Sequence, residues 1–227
     1  MWRNLDWFAA TFVLALGFMM APDLPAADAA PTSAEETAYS RAIVERADKI
    51  VATLGIQDAT QATRVRELIV AHYRKLRVVH AALDARIAQA ANSPGDAVVA
   101  EAWRNVARKD ADLKLFPLHR QFVARLEAEL TPEQVNQVKD GMTNGVVPLT
   151  FERYRKLLPN LTAEQQAEIL ANLLEAREYA MDGGAPDEMA AWFDKSRGRI
   201  NNYLSAAGYD VKQLERGPTE RADAPPQ

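Results

Sequence analysis

Between residues 59 and 91 apolar side chains recur at steps of three and four with no glycine or proline among them: Val65, Leu68, Ile69, Leu76, Val79, Leu83 and Ile87, with His72 in the same row. A pattern that long can bury its apolar side only as one continuous amphipathic helix. It constrains everything around it, because a long helix needs other helices or a sheet to cover its stripe. No stretch of the chain alternates with period two long enough to supply a strand. The covering elements are therefore helices as well. Tyr39, Ile43, Ala47, Ile50 and Leu54 repeat at helical spacing, Gly55 follows where a helix C′ glycine belongs, and Asp58 is placed to cap the long helix.

Downstream, Asn92-Ser93-Pro94-Gly95-Asp96 is a turn, and a third helix begins near Ala97. Its spacing predicts that Val99, Ala102, Trp103, Val106, Leu113 and Phe116 face inward. Pro117 is expected to kink or end it, with a further piece running through Phe122, Val123 and Leu126. Two phrases of one form then start successive helices, Leu130-Thr131-Pro132-Glu133-Gln134 and Leu161-Thr162-Ala163-Glu164-Gln165. In each the threonine is an N-cap and the glutamine closes a capping box. Gly141 and Gly145 are expected to flank an irregular GMTNG segment, with Thr150 capping a short helix to Leu158. The helix from Thr162 should end at Asp182-Gly183-Gly184. A last helix, about Pro186 to Ala206, should bury Met189, Trp192, Phe193, Ile200, Tyr203 and Leu204. The expectation is an all-α fold: one helical bundle of six to seven helices over residues 33–212, with a kinked helix near Pro117.

The two ends read differently. Met1–Ala29 has the form of a secretory signal: Arg3 before an apolar run from Trp7 to Met20, Pro22 and Pro25 breaking it, and Ala27-Asp28-Ala29 as a small-x-small cleavage site. The mature chain is then exported to the periplasm or beyond and leaves the membrane once cleaved. Residues 213–227, with three prolines and mixed charge, read as a disordered tail. A chain without cysteine has no disulfide and no thiolate metal site. Net charge of -4 argues against nucleic acid, which demands clustered cations. The segment from residue 30 to Arg125 carries 15 basic against 11 acidic residues and the remainder 11 against 17, an asymmetry that suits two halves packing together or mixed solvated faces.

Chemistry-bearing patterns are few. His72 and His80 lie about 12 Å apart along a helix axis, too far for one metal. They read as core or rim histidines, and His119 has no companion nearby in sequence. No metal site or cofactor is expected, and no nucleophilic elbow or phosphate loop is present in the sequence. Glu175, Glu178 and Asp182 share one face of a helix, which is either a solvated acidic face or a pair of carboxylates for acid–base work on a glycosidic bond. Arg177 sits on the apolar side of the same helix and so requires a partner, with Asp140, Glu152 and Asp182 the candidates. Arg197, Arg199, Asn201 and Asn202, beside Gly198, form a polar cluster that either fixes the GMTNG loop, including Thr143 and Asn144, or holds a polar ligand such as a sugar.

Several of these phrases together carry a resemblance. Tyr39, Arg46-Ala47, Lys49-Ile50-Val51, Leu54-Gly55-Ile56, Arg64-Val65 and His80, followed by VKDGMTNG (138–145), PNLTAEQ (159–165), EAREYAMDGG (175–184) and GRINNYLSAAGYD (198–210), resemble a secreted bacterial family known as domain of unknown function 3826. The resemblance covers about residues 36–212. It implies an exported helical protein, often encoded near genes for pectin-type plant-polysaccharide breakdown, with no established activity. A weaker likeness is to periplasmic helical chaperones with paired Leu-Thr-x-x-Gln phrases, although that phrase is helix-cap chemistry that unrelated proteins reinvent. The expected function is a non-catalytic binding or accessory module in polysaccharide utilisation, partnered by an oligosaccharide or another periplasmic protein. The alternatives are an enzyme on acidic oligosaccharides using the carboxylates of the 162–182 helix, and a chaperone-like protein. Ligand candidates are Asp140, Thr143, Asn144, Glu175, Arg177, Glu178, Asp182, Arg199, Asn201 and Asn202.

Overall fold

A computed structural model describes residues 33–92 and 96–211. The signal-like segment, the middle of the 92–96 turn and the tail from residue 212 lie outside the described residues. Seven helices occur among those described, and no strand: α1 (Ser33–Ala52), α2 (Ala59–Ala91), α3 (Ala97–Glu129), α4 (Pro132–Met142), α5 (Val146–Leu157), α6 (Ala163–Ala180) and α7 (Pro186–Ala206). The chain is all-α, as its periodicity requires.

The helix ends follow from their residues. Asp58 accepts from Thr60 N at the start of α2, and Asp96 from Val99 N at the start of α3. Thr131 and Thr162 both complete capping boxes, with Gln134 and Gln165 reaching back to the threonine N–H at 3.1 and 2.9 Å. Gly55 takes φ +65° after α1, as a C′ glycine does. GMTNG is more helical than its glycines suggest. Gly141 lies inside α4, where its lack of a side chain matters: a Cβ there would stand 2.7 Å from Ile50. The reversal is confined to Thr143–Gly145. Asn144 at φ 55° and Gly145 at φ 67° close a Schellman-type cap, with Gly145 N donating to Asp140 O and Asn144 N to Gly141 O. Gly145 then starts α5, so Thr150 is an interior residue and not a cap.

Two hydrophobic cores result. Ile50, Val65, Ile69, Leu126, Val138 and Met142 anchor the first, built by α1, α2, the C-terminal part of α3 and α4. Leu130 and Val135 share it, which is where the staple expected beside the first cap belongs. Ile169, Leu173, Phe193, Ile200 and Leu204 anchor the second, built by α5, α6 and α7. Tyr203, expected inside, is on the surface.

The largest departure is α3. It continues through Pro117 as one helix and does not end there. Its inner face is Ala107, Ala111, Phe122 and Leu126, whereas Val99, Trp103, Val106, Leu113 and Phe116, and Ala102 beside them, are exposed. Both rows have helical spacing, so periodicity does not choose between them. Alanine decides: small residues let α2 approach closely along the hairpin, with Ala90 buried from the other side, and the bulky row is turned aside.

Candidate functional site

All three histidines of the chain converge on one turn. Asp182 ends the segment after α6, and the residue is only 8% exposed. Its Oδ1 meets His72 Nε2 at 3.1 Å, its Oδ2 meets His119 Nδ1 at 2.7 Å, and its backbone oxygen meets His80 Nε2 at 2.7 Å. His72 comes from α2 and is held flat on Phe122, ring centroids 4.0 Å apart. His80 can approach only because residue 184 is glycine, since a Cβ there would lie 2.4 Å from the imidazole. The doubled glycine therefore serves a close approach as well as a helix end. His119 does have companions, contrary to its isolated look in sequence. They are contributed 59 and more residues downstream, by Glu178 and Asp182.

The cluster continues along α6. Glu178 Oε2 receives Lys139 Nζ at 2.6 Å and lies 3.4 Å from His119 Nε2. Arg177, 3% exposed, donates to Asp140 Oδ1 and to Asn136 Oδ1, both at 2.7 Å, and lies 3.4 Å from Glu178 Oε1. Of the candidate partners for Arg177, Asp140 is the one used. Asp182 turns to the histidines, and Glu152 pairs with Arg155 on the surface.

The electrostatics suit a clamp. Hydrogen bonds to Asp182 and Glu178 raise the His119 imidazole to about 9 against the opposing effect of burial. Burial pushes the Glu178 carboxyl up, but hydrogen bonds from His119 and Lys139 and the charges of Lys139 and Arg177 outweigh it and hold it at about 2. Burial likewise raises Asp182, and its two histidine hydrogen bonds more than reverse that. An acid catalyst for glycoside cleavage needs a carboxyl held well above its ordinary range. These carboxyls are pushed the other way, and a base at about 9 stays protonated at neutral pH. Glu178 and Asp182 are therefore held ionised in pairs with cations, which does not suit the general-acid role. Glu175 alone of that trio is on the surface, where it pairs with Arg199 at 2.9 Å. Among the described residues no group of three or more His, Asp and Glu is disposed to hold a metal ion.

The remaining candidates scatter. Thr143 is fully buried and donates to Lys139 O, a cap and not a contact surface. The loop it closes is fixed by Arg46 of α1, whose Nη2 donates to Met142 O at 2.7 Å and Asn144 Oδ1 at 3.1 Å. The α7 polar cluster does not reach that loop. Asn202 is exposed, and Asn201 Oδ1 accepts from Tyr154 OH at 2.9 Å across to α5. Asn201 lies instead in a groove of about 570 Å³ between α5 and α7, bordered by Thr150, Arg153, Tyr154, Asp194, Arg197 and Gly198.

Residues 40–224 match a known family model. The chain belongs to the family described as protein of unknown function (DUF3826). The DUF3826 match takes in both cores, the Asp182 cluster and the groove. A comparison with curated proteins returned no match. Of the residues bordering the groove, the sequence names Asn201 as a ligand candidate, with Arg197 and Gly198 beside it, without placing them against α5. It gives no signal for Arg153 and reads Thr150 only as a helix cap; both enter because α5 starts after Gly145 and lies beside α7.

Proposed function

We propose that this DUF3826 protein is an exported, non-catalytic binding module that takes an acidic, pectin-type oligosaccharide into the groove between α5 and α7. The observation that carries the reading is Gly198. It lies in the interior of α7, where glycine costs about 0.5–1 kcal/mol relative to alanine. A Cβ there would meet nothing within 4 Å, so neither packing nor a turn demands glycine. Its bare backbone borders the groove, where any other residue would project a side chain.

The chemistry around that opening suits a uronate. Arg153 makes no ion pair with any carboxylate among the described residues, and Arg197 is held by Asp194. A guanidinium is the side chain best matched to a carboxylate, since its planar fork donates two parallel hydrogen bonds. Asn201, positioned by Tyr154, and Thr150 supply amide and hydroxyl groups for sugar hydroxyls. A volume of about 570 Å³ lies within the range of small-ligand sites. The enzyme alternative, through the carboxylates of the 162–182 helix, finds less support: Asp182 and Glu178 are engaged by His119 and Lys139 and Glu175 by Arg199, and none of the three borders the groove. The chaperone-like alternative has only the exposed apolar row of α3 in its favour.

The test is a thermal-shift titration with a short oligogalacturonide and a neutral oligosaccharide of equal length. The acidic ligand should raise the melting temperature, by an amount equivalent to about 2.7 kcal/mol at one hundred times Kd. Arg153→Ala should abolish the shift. Gly198→Leu should fill the groove, abolish binding and leave the free protein as stable or more so. No shift with any uronate at millimolar concentration sinks the proposal.

A further inference from the structure

The exposed row on α3 is the largest apolar feature that neither core nor groove uses. Trp103 is 56% exposed, Phe116 65% and Leu113 75%, with Val98, Val99 and Val106 along the same side. Two features bear on what covers it. The first is its symmetry. About the Lys109–Asp110 step the central part of the row reads alike in both directions: Val106 and Leu113 stand three to four residues either side, and Trp103 and Phe116 six to seven, while Val98 and Val99 mirror onto Gln121 and Arg120 at its ends. A two-fold interface requires a patch complementary to itself, in which residue i meets j and j meets i. The second is its charge. The groups nearest the centre are of both signs and already balanced within the chain, Asp110 by Arg86 and Lys114 and Lys109 by Asp112 at 3.5 Å, so the centre is locally neutral and suits a second copy better than a partner of one charge sign.

We infer that α3 pairs antiparallel with α3 of a second copy of this chain, about a two-fold axis at Lys109–Asp110. In that register Val106 faces Leu113 of the second copy at the centre of the seam. Trp103 and the second copy's Phe116 lie at one level on opposite sides of it and close it from water. Aromatic side chains cover roughly 150–250 Å² each when fully buried, and with Trp103 and Phe116 56% and 65% exposed the open area of the row comes to several hundred Å² per partner, the low end of specific interfaces. The pairing leaves the α5–α7 groove untouched and does not depend on what the groove binds.

The whole chain contains no cysteine, so single cysteines report the geometry without background. Sedimentation equilibrium of the full exported chain should return twice the protomer mass. Leu113→Glu should weaken association at least tenfold without lowering the melting temperature, since the side chain is exposed in the protomer. Val106→Lys serves as a second variant with the same expectation. Lys109→Cys should form a disulfide-linked dimer under mild oxidation, because its symmetry mate is adjacent. Val99→Cys should not, because its mate stands about 30 Å away along the helices at 1.5 Å per residue. A wild-type monomer at several hundred micromolar overturns the proposal, including a monomer whose row binds an unfolded client instead. So does a dimer that both charged variants leave intact, or one that Val99→Cys cross-links and Lys109→Cys does not.

Discussion

His119 shows how one side chain can be assigned from its neighbours. It stands between Asp182 and Glu178, and its value of about 9 means that it enters the folded state as a cation. Its folded value lies above its ordinary 6.5, so its stabilisation is complete below pH 6.5 and is lost as pH rises through about 9. Glu178, held at about 2, contributes above its ordinary 4.5 and loses that contribution as pH falls through about 2. The two together give a plateau of maximal stability between about pH 4.5 and 6.5, followed by an alkaline decline. Discounted for the water that reaches His119 and its partner Glu178, the decline should amount to about 1–3 kcal/mol. His119→Gln should lower the plateau and flatten the decline in urea titrations read at pH 6 and pH 9.5. An alkaline slope unchanged in His119→Gln would assign it to another group.

Helix punctuation is the next level at which single substitutions have defined effects. Thr131 and Thr162 each satisfy an N3 amide through the hydroxyl, while the paired glutamine covers the threonine N–H. Thr131→Ala and Thr162→Ala should each cost about 1 kcal/mol. They cap helices in different cores and share no partner, so the double variant should be close to the sum, as measured by denaturant midpoints. A clearly larger loss in the double variant would mean that the two caps communicate. α3 illustrates the opposite case. Pro117 lacks the N–H that would bond one turn back, yet the helix runs through it because Phe122 and Leu126 beyond are buried in the first core and Ala107 and Ala111 before it are buried along the α2 side.

The two cores are joined through polar contacts. His72 on α2, His119 on α3, and Lys139, Asp140 and Asn136 on α4 face Arg177, Glu178 and Asp182 on α6 and its terminal turn. Removing one member of such a buried pair leaves the others uncompensated, at a cost of about 3–5 kcal/mol. Asp182→Asn should therefore weaken the coupling between halves as well as the fold. In a Trp103→Phe background, Trp192 fluorescence, from the second half, and far-UV circular dichroism, from both, should follow one urea transition with Asp182 present and separate in Asp182→Asn. Coincident transitions in the variant would show that apolar contact alone couples the halves, Met181 being the residue that reaches into the first core.

Much of this organisation is local and therefore legible in the chain itself. Period-3.6 rows, two capping boxes and the glycine after α1 specify helices and their ends through interactions within a few residues, and the family follows from phrases of the same reach. Arg177 could be read as needing a partner because a guanidinium on an apolar face cannot stay unpaired, although Asn136 and Glu178 as co-partners could not. What tertiary structure alone decided is of another kind. Both rows of α3 are helical, and only the closeness of α2 selects the alanines over Trp103 and Leu113. His72, His80 and His119 meet Asp182 across separations of 63 to 110 residues, and Gly198 acquires a meaning only when α5 is set beside α7. Sequence spacing encodes which face of a helix a residue occupies, but the partner of that face is set by packing between segments distant in the chain.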